Sequence, residues 1–377
     1  MTIAKENSPH LRKKASVTRM MVDVLVALAP TLIFAFIIFP IQTLYTYLIS
    51  VSVMVGSEFV YVGLRNMMPN DGMKHSFKER FTYAYKGHFN QNNILTACIT
   101  AVIYTLITPP TATIYAIIIG AFAGIILGKL LFGGLGSNIF NPAAVGMVFA
   151  KLCFGNQYAP YSSLKPSFNF YTIPDVAAGA TPLGTINNYA YGNLNQYSLS
   201  NLFFGQIPGT LGEVYTITIL IGLVYLLVRR SADYRIVVSY LGSFILFALV
   251  AGLSIFMVDK VTNPFVFMLY SLLSGGVLFG GVFMLTDPVT SPINSPSRWM
   301  YGIIAAIGTI FIRLFAALPE GVAFSILIAN MFAAVLDHYE WSSSRYTWKK
   351  LLTIGLLVVI PALIIFLIIG FGGVYHV

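Results

Sequence analysis

The sequence predicts an all-α integral membrane protein, a polytopic bundle of about 10–11 transmembrane helices. Only 9% of the 377 residues are charged and 57% are hydrophobic, whereas about 25% of a soluble domain is charged. Apolar segments recur along the whole chain, and basic residues collect between alternate pairs of them. The first apolar segment lacks the cleavage pattern of a signal peptide, so it is predicted to stay in the membrane.

Eleven apolar segments are the predicted membrane helices. Two of them, at about 94–108 and 141–154, are short for a full crossing, which predicts packed or broken helices there. In chain order the segments fall at about 20–40, 42–63, 94–108, 111–131, 141–154, 214–228, 236–257, 264–285, 300–317, 321–337 and 351–374.

Basic residues orient the bundle, because Lys and Arg concentrate in cytoplasmic loops. With the N-terminus in the cytoplasm, all but four of the 22 basic residues fall in cytoplasmic segments; the exceptions are Lys151, Lys165, Lys260 and Arg313. We therefore predict a protein of the cell inner (plasma) membrane with the 155–213 loop outside the cytoplasm. The net charge of +9 then serves orientation and contact with membrane lipid, and no nucleic acid is predicted as a partner.

The chain divides into two membrane halves and their connections. In order these are a cytoplasmic N-terminus (1–19), a first membrane half (20–154) with a cytoplasmic loop (64–93), an extracytoplasmic loop (155–213), a second membrane half (214–340), and a cytoplasmic link with an extra C-terminal helix (341–377). The 64–93 loop, which carries basic and aromatic residues, is interpreted as a solvated basic loop or as a docking surface for a soluble partner protein.

A weak internal repeat relates two glycine-rich turns. Residues 133–142 lead to an Asn-Pro pair, and residues 280–288 lead to an Asp-Pro pair. Paired Gly/Pro-interrupted segments indicate a membrane-embedded site between two repeats, built partly from half-helices. Ordinary helix packing and turns are the alternative explanation of the same pattern.

Ionisable residues in the predicted spans are candidates for an ion pathway, because a buried charge costs at least ~2.5 kcal/mol on insertion scales. The acidic candidates are Glu58, Asp23 and Asp337, and Arg313 is a basic residue inside the ninth segment. A structural role is the alternative, favoured for Asp23 and Asp337 by their position near the membrane interface. Glu213 is interpreted as an ordinary loop charge outside the membrane.

Several cofactor sites are absent from the sequence. Two cysteines, Cys98 and Cys153, lie far apart in apolar segments and are interpreted as small buried hydrophobic residues. An iron–sulfur cluster normally needs four thiolates, and no metal site is predicted. Neither a GxGxxG βαβ signature nor a Walker A motif occurs. Soluble substrates would therefore be handled by other chains, and no complete active site is predicted in this one.

Residues 175–185, DVAAGATPLGT, form a small-residue turn within the polar 155–213 loop. Gly179 and Ala180 leave space around the hydroxyl of Thr181, and Pro182 fixes the chain after it. Such a turn exposes the hydroxyl to a modifying enzyme. On these residues alone, a simple Thr-Pro turn is the simpler interpretation.

Four separated motifs, taken in order, resemble one family. They are SPHLRKKASVTRMMVDVLVALAPT, FGGLGSNIFNPAAVG, GATPL and FMLTDPVTSP. Over about residues 8–340 the chain is similar to the D subunit of the Rnf ion-translocating oxidoreductase complex and to its relative, the B subunit of the sodium-pumping NADH:quinone reductase. The eleventh segment goes beyond the ten helices that are usual in these relatives.

The resemblance implies that FMN is esterified through its phosphate to the hydroxyl of Thr181. The flavin transferase of this family recognises an Asp six residues before the acceptor Thr, a spacing that Asp175 and Thr181 have. Gly179 and Ala180 match the two residues before the acceptor, whereas Ala178 departs from the Ser or Thr that is common there. A flavin transferase is therefore an expected partner during maturation.

The resemblance also implies a noncovalent flavin, riboflavin or a second FMN, toward the cytoplasmic side of the bundle. Both glycine-rich turns lie on that side in the predicted topology. Asn138, Asn141, Asp287 and Thr290 are the expected polar contacts of this flavin.

The predicted function is that of a membrane subunit of an Rnf-type complex, in which electrons pass between ferredoxin and NAD through other membrane and cytoplasmic subunits, coupled to Na⁺ or H⁺ translocation. The corresponding quinone-reductase subunit is the alternative within the family. The long 64–93 loop favours that alternative, while the N-terminal motif and the chain length favour Rnf. A cofactor-free transporter or channel, which the broken segments also suit, is an alternative of another class, and a scaffold with a vestigial flavin site is a third.

Overall fold

The computed structural model of the protein describes residues 17–67, 76–86, 88–158, 198–205, 207, 209–213, 215–259, 263–316, 321–338 and 345–371. Within these ranges all regular secondary structure is helical, which confirms the predicted all-α class. A hydrocarbon environment offers no partners for backbone N–H and C=O groups, so an apolar span must satisfy them within itself, as a helix does.

The helices follow the predicted apolar segments. They are α1 (Val17–Ile38), α2 (Pro40–Asn66), α3 (Phe77–Tyr85), α4 (Gln91–Ile107), α5 (Ile114–Gly128), α6 (Pro142–Tyr158), α7 (Leu199–Phe204), α8 (Thr216–Arg229), α9 (Tyr234–Asp259), α10 (Pro264–Leu273), α11 (Val277–Met284), α12 (Ser295–Phe315), α13 (Val322–Leu336) and α14 (Trp348–Phe371). Each of the eleven predicted segments overlaps a helix of this set, and the segment at 264–285 overlaps two.

The chain is a multi-pass membrane protein. In the described ranges six helices are long and apolar enough to cross a membrane, namely α1, α2, α5 with the turn after it, α9, α12 and α14, and the bent pair α10–α11 makes a seventh. Four further apolar helices, α4, α6, α8 and α13, have only 10–17 residues. The predicted short helices at 94–108 and 141–154 are thereby confirmed.

The span from α10 to α11 is broken in its middle. The two helices are bent by 62° across the break, and Gly275 there has φ 65°, a left-handed conformation that glycine adopts without steric cost. The last five residues of α11, Gly280–Met284, form a π-helical turn, a feature that is frequent at functional sites. The predicted half-helix in this segment is therefore present.

Close packing of α5 on α6 fixes the first glycine-rich turn. A Cβ atom added at Gly124 would lie 2.7 Å from the carbonyl oxygen of Pro142, and one added at Gly146 would lie 2.7 Å from that of Gly120. The two backbones therefore touch, as small residues allow in membrane helix pairs.

The two halves of the bundle meet along α1 and along α6. Helix α1 packs on α4 of the first half and on α8 of the second, and α6 packs on α13. Helix α14, the predicted extra C-terminal helix, packs on α9 and α12, so it is part of the bundle.

Part of the predicted 64–93 loop is folded against the bundle. The ring of Tyr85 in α3 stacks on Phe59 of α2 with centroids 4.3 Å apart, and its hydroxyl donates to the Phe59 carbonyl at 3.3 Å. Ser76 and Glu79 form a capping box that starts α3. In the described residues this loop therefore includes a docked helix, which leaves both interpretations of its outer face open.

Candidate functional site

A cavity of about 510 Å³ lies where the two halves meet, at the end of the bundle at which α6 begins and α11 ends. Helices α1, α4, α8 and α11, the end of α5 and both glycine-rich turns line it. Volumes of roughly 300–1,000 Å³ are typical of small-molecule sites. The cavity is therefore large enough for a cofactor of several rings, and both of the glycine-rich turns that the sequence paired contribute to its wall.

Most of the cavity wall is apolar. Met20 and Met21 of α1, Ile99 and Ile103 of α4 and Phe283 of α11 contribute to it. Such a wall excludes water and packs against a flat aromatic ring, and sulfur and aromatic side chains suit that contact especially well.

Asn141 joins the two glycine-rich turns at the floor of the cavity. Its Oδ1 accepts hydrogen bonds from the N–H groups of Ala143 (3.1 Å) and Ala144 (3.3 Å), so it caps α6 just before the proline that begins the helix. Its Nδ2 donates to the carbonyl of Met284 at the end of α11 (3.0 Å). The Asn-Pro pair of the first turn thus holds the second turn in place.

Asn330 of α13 secures the same junction from behind. It is 1% exposed, its Oδ1 accepts from the N–H of Asn141 (3.0 Å), and its Nδ2 donates to the hydroxyl of Tyr301 (2.7 Å) and to the carbonyl of Thr290 (3.4 Å). The sequence interpretation missed this residue. An amide in the middle of an apolar segment was the signal that could have found it, because such a group needs partners.

Asp287 and Asn138 add polar groups to the cavity wall. The carboxylate of Asp287 accepts from the N–H of Val289 (3.1 Å) and from the hydroxyl of Thr290 (3.4 Å). Burial raises the pKa of Asp287 above its ordinary value, while these bonds, a bond from Asn138 and the charge of Lys129 oppose the rise. Thr290 is buried and does not line the cavity, so it reaches a ligand only through Asp287.

The structure therefore brings three of the four predicted flavin contacts to the cavity, namely Asn138, Asn141 and Asp287. Their role as contacts stays a prediction, as does the indirect role of Thr290. The side chain of Asn138 bonds to Asp287, and its Nδ2 makes a further, long bond of 3.5 Å to the carbonyl of Phe140.

A buried ion pair stands in the cavity wall. The Nζ of Lys129 lies 2.9 Å from Oε2 of Glu58 and donates to the hydroxyl of Thr96 at 2.8 Å, while Oε1 of Glu58 accepts from Nδ2 of Asn93 at 3.0 Å. Lys129 and Thr96 line the cavity. The predicted topology placed Lys129 in the cytoplasmic segment 129–140, and the structure adds that its side chain is buried, with 3% exposed.

The other two acidic candidates are fully engaged by protein groups. Asp23 accepts from the hydroxyl of Ser231 (2.7 Å) and pairs with Arg229 (3.0 Å). Asp337 accepts from the N–H of Ile293 (2.7 Å) and so ties α13 to the turn before α12. These partners support the structural alternative for both residues, and their place in an ion pathway remains a prediction.

At the opposite end of the bundle, Arg313 caps the broken helix. It is 1% exposed, and its guanidinium donates to the carbonyls of Ser271 (2.8 Å) and Ser274 (3.1 Å) and lies 5.5 Å from the centre of the Phe244 ring. A cation at the C-terminal end of a helix is well placed for both its hydrogen bonds and the helix dipole. Arg313 is thus needed where α10 stops.

Glu213 is not the ordinary loop charge that was expected. It lies in the turn before α8, and its carboxyl fills the space beside Gly276 at the start of α11. Burial raises the pKa of Glu213 to about 7, against the opposing effects of the Thr210 hydroxyl and of Arg313 and Lys151. The interpretation as a solvated charge is therefore wrong.

The predicted flavinylation turn, with Asp175, Gly179, Ala180 and Thr181, lies outside the described residues. Helix α6 precedes this turn in the chain. Helix α6 begins at the cavity and runs to the other end of the bundle, where Phe154 meets Tyr115 near the start of α5 (ring centroids 5.5 Å apart).

Comparison with known proteins places the chain in a family. Residues 4–344 match the NQR2, RnfD, RnfE family. The chain is 36% identical to the B subunit of the Na(+)-translocating NADH-quinone reductase of Chromohalobacter salexigens over 245 residues, 64% of this chain and 57% of that protein. The proteins of the same name from Pseudomonas aeruginosa and Klebsiella pneumoniae are 32% and 33% identical over 247 and 252 residues, 64% of this chain and 58% of theirs. The matched part is little more than half the length of these relatives.

Proposed function

The chain belongs to the NQR2, RnfD, RnfE family, and from this premise we propose that it is the flavin-bearing membrane subunit of an ion-translocating oxidoreductase complex. The observation that carries the proposal is the cavity between the two halves. It combines apolar walls with amides and a buried lysine in one small volume, which is the combination that a flavin ring with one hydrogen-bonding edge requires.

The residues of the cavity fit a noncovalent flavin, riboflavin or FMN, which when bound would supply electron transfer. Phe283 and Ile103 would pack on the ring and exclude water. Asn138 would bond its polar edge, while Asp287 would hold a proton or accept a hydrogen bond at that edge. Lys129 would favour negative charge on a bound group, because its ammonium lies in the wall of a poorly solvated space.

The second part of the proposal is a covalent FMN on Thr181, attached by a flavin transferase. In the predicted topology the Thr181 loop lies outside the cytoplasm, while the cavity at the start of α6 lies toward the cytoplasmic side. Electrons would thus pass between two flavins on opposite sides of the membrane within this subunit.

Glu58 is our proposed ion-pathway residue. Its carboxylate is completely buried in α2 and is separated from the cavity only by Lys129. A charge so placed can respond to electrons in the cavity and can exchange Na⁺ or H⁺, whereas the carboxylates of Asp23 and Asp337 are held by several protein donors.

The partner subunits would distinguish the two complexes of the family. The motifs of the sequence support an Rnf-type complex, which links ferredoxin to NAD, while the names of the relatives support a quinone reductase. Purification of the chain with its partners, followed by mass spectrometry, would separate them. A co-purifying protein with many ferredoxin-type cysteine runs supports Rnf, and NADH-driven quinone reduction without such a protein supports the alternative.

The cavity assignment is tested by filling the cavity. Ile99→Trp places an indole in the space, whereas Ile94→Trp on the same helix faces outward, Ile94 being 39% exposed and not part of the wall. Acid extraction and chromatography should recover about one noncovalent flavin per chain from the wild type and from Ile94→Trp, and little from Ile99→Trp. A folded wild-type chain without extractable flavin would contradict the assignment and favour a cofactor-free transporter or channel.

A further inference from the structure

The ion pair of Glu58 and Lys129 is isolated from water. Its atoms are 2.9 Å apart, and the two side chains are 1% and 3% exposed. Removing one partner from such a pair leaves an uncompensated buried charge, which is strongly destabilising. Any event that draws Lys129 away from Glu58 must therefore bring another positive charge to Glu58.

Lys129 is shared between this pair and the cavity. Its ammonium has three N–H donors, of which one points to Glu58 and one to Thr96. The side chain also lines the cavity, and Asp287 on the other side of that space attracts it. A group in the cavity that gains negative charge would compete with Glu58 for the same ammonium.

Oxygen atoms around Glu58 could accept a small cation in place of the ammonium. The Glu58 carboxylate and the hydroxyl of Thr96 both accept from the Lys129 ammonium, while Asn93 donates its Nδ2 to Glu58 and accepts from the N–H of Asn90 with its carbonyl. Oxygen ligands of these types suit hard cations. Among the contacts described, the charged group that faces Glu58 is Lys129, with Asp287 beyond it across the cavity.

We propose that Lys129 is a lock that couples charge in the cavity to cation binding at Glu58. While the cavity carries no added negative charge, the Lys129 ammonium stays paired with the Glu58 carboxylate and keeps other cations from binding there. When one electron enters the cavity from a low-potential carrier of a partner protein, Lys129 turns toward the new charge and Glu58 takes up one Na⁺ or H⁺ instead. One electron and one cation enter together, so the charge of the site is balanced. Lys129 acts through Glu58 and is therefore a positioning residue; this inference rests on the proposed flavin in the cavity.

The test is the midpoint potential of the noncovalent flavin in the purified full-length chain. The measurement is made in the Thr181→Val variant, which cannot carry the covalent FMN, so the signal comes from the noncovalent flavin of the cavity. The potential is measured over a range of Na⁺ concentrations at fixed pH and over a range of pH without Na⁺. We expect it to rise with one of the two cations by as much as ~59 mV per tenfold increase in concentration, the value for one cation per electron.

Three variants separate the lock from a merely structural pair. The double variant Glu58→Gln, Lys129→Gln keeps a hydrogen-bonded neutral pair, so it should fold and retain flavin, and its potential should no longer depend on the cation. Lys129→Arg should retain the dependence. Lys151→Met, which changes a lysine of α6 outside the cavity wall, should have the slope of the wild type.

The outcomes distinguish this inference from the proposed function. A bound flavin whose potential is independent of both Na⁺ and pH overturns the lock and leaves the cavity assignment intact. A double variant with the wild-type slope also overturns it, because the coupling would then lie elsewhere. Absence of flavin from the folded wild-type chain overturns both proposals.

Discussion

Replacing Arg313 by methionine should destabilise the bundle by about 2–4 kcal/mol. Arg313 is the buried cation that ends α10, with donated bonds of 2.8 Å to the Ser271 carbonyl and 3.1 Å to the Ser274 carbonyl. Methionine keeps the aliphatic stem of the side chain but has no guanidinium and no donor, so it removes both bonds. At the break between α10 and α11, the Ser274 carbonyl would then lose its guanidinium donor, and the Ser271 carbonyl would keep the long bond of 3.4 Å from the Ser274 hydroxyl.

The magnitude follows from opposing contributions. Hydrogen bonds to a charged group contribute roughly 1.5–3 kcal/mol each, so two of them contribute about 3–6 kcal/mol. The lost stabilisation is partly offset, because methionine does not carry the desolvation cost of a buried guanidinium. The Nε of Arg313 is buried without a hydrogen-bond partner, so the native residue already bears some of that cost. The net loss is therefore about 2–4 kcal/mol.

The assay is reversible unfolding of the purified chain in mixed micelles, followed by tryptophan fluorescence and extrapolated linearly to zero denaturant. Lys349→Met is the control, since it removes a positive charge from an exposed position at the start of α14. Arg313→Lys keeps the charge and should fall between wild type and Arg313→Met. If Arg313→Met unfolds within about 0.5 kcal/mol of the wild type, the usual range for surface changes, the carbonyl-capping role is refuted.

Three further changes give separable results. Glu213→Gln should flatten the pH dependence of thermal stability between about pH 4.5 and about pH 7. Burial raises the pKa of Glu213 from 4.5 to about 7, so the folded chain binds this proton more tightly than the unfolded chain and the wild type loses stability as the pH rises through that window. A variant with the same pH profile as the wild type would contradict the raised pKa. Asn141→Leu should cost about 1–3 kcal/mol, from the cap of α6 and the bond to Met284, and should lower the flavin content measured after gel filtration; full flavin retention would show that the turn junction does not shape the cavity. Asp23→Asn should lower the melting temperature by weakening the pair with Arg229, yet leave ion transport by reconstituted complex unchanged below the melting range; transport loss in the stable protein would place Asp23 in the pathway instead.

The membrane helices could be predicted from the sequence because an apolar span in hydrocarbon must hydrogen-bond its own backbone groups, as a helix does. The short segments at 94–108 and 141–154 were recognisable for the same reason, since helix length follows directly from the number of residues. The paired glycine-rich turns also indicated the junction at which the cavity lies, because both end in an Asx-Pro pair that can start or stop a helix.

The electrostatics of the site could not be predicted in the same way. Lys129 follows an apolar segment, as do interfacial lysines, and only its three-dimensional neighbour Glu58 explains its burial. Glu213 has a loop sequence around it, but a break in a distant helix encloses its carboxyl. The protonation and partners of such groups depend on contacts between remote segments, which residue type and spacing alone do not specify.

The central claim, that this chain carries a flavin, is tested most directly by the intact mass and in-gel fluorescence of the denatured chain from cells that express a flavin transferase. We predict an added mass of one FMN less one water and fluorescence that survives denaturation. Both should disappear in Thr181→Val and persist in Thr185→Val, the matched control in the same DVAAGATPLGT turn. A wild-type chain without the added mass despite an active transferase, or an undiminished signal in Thr181→Val, would contradict the account.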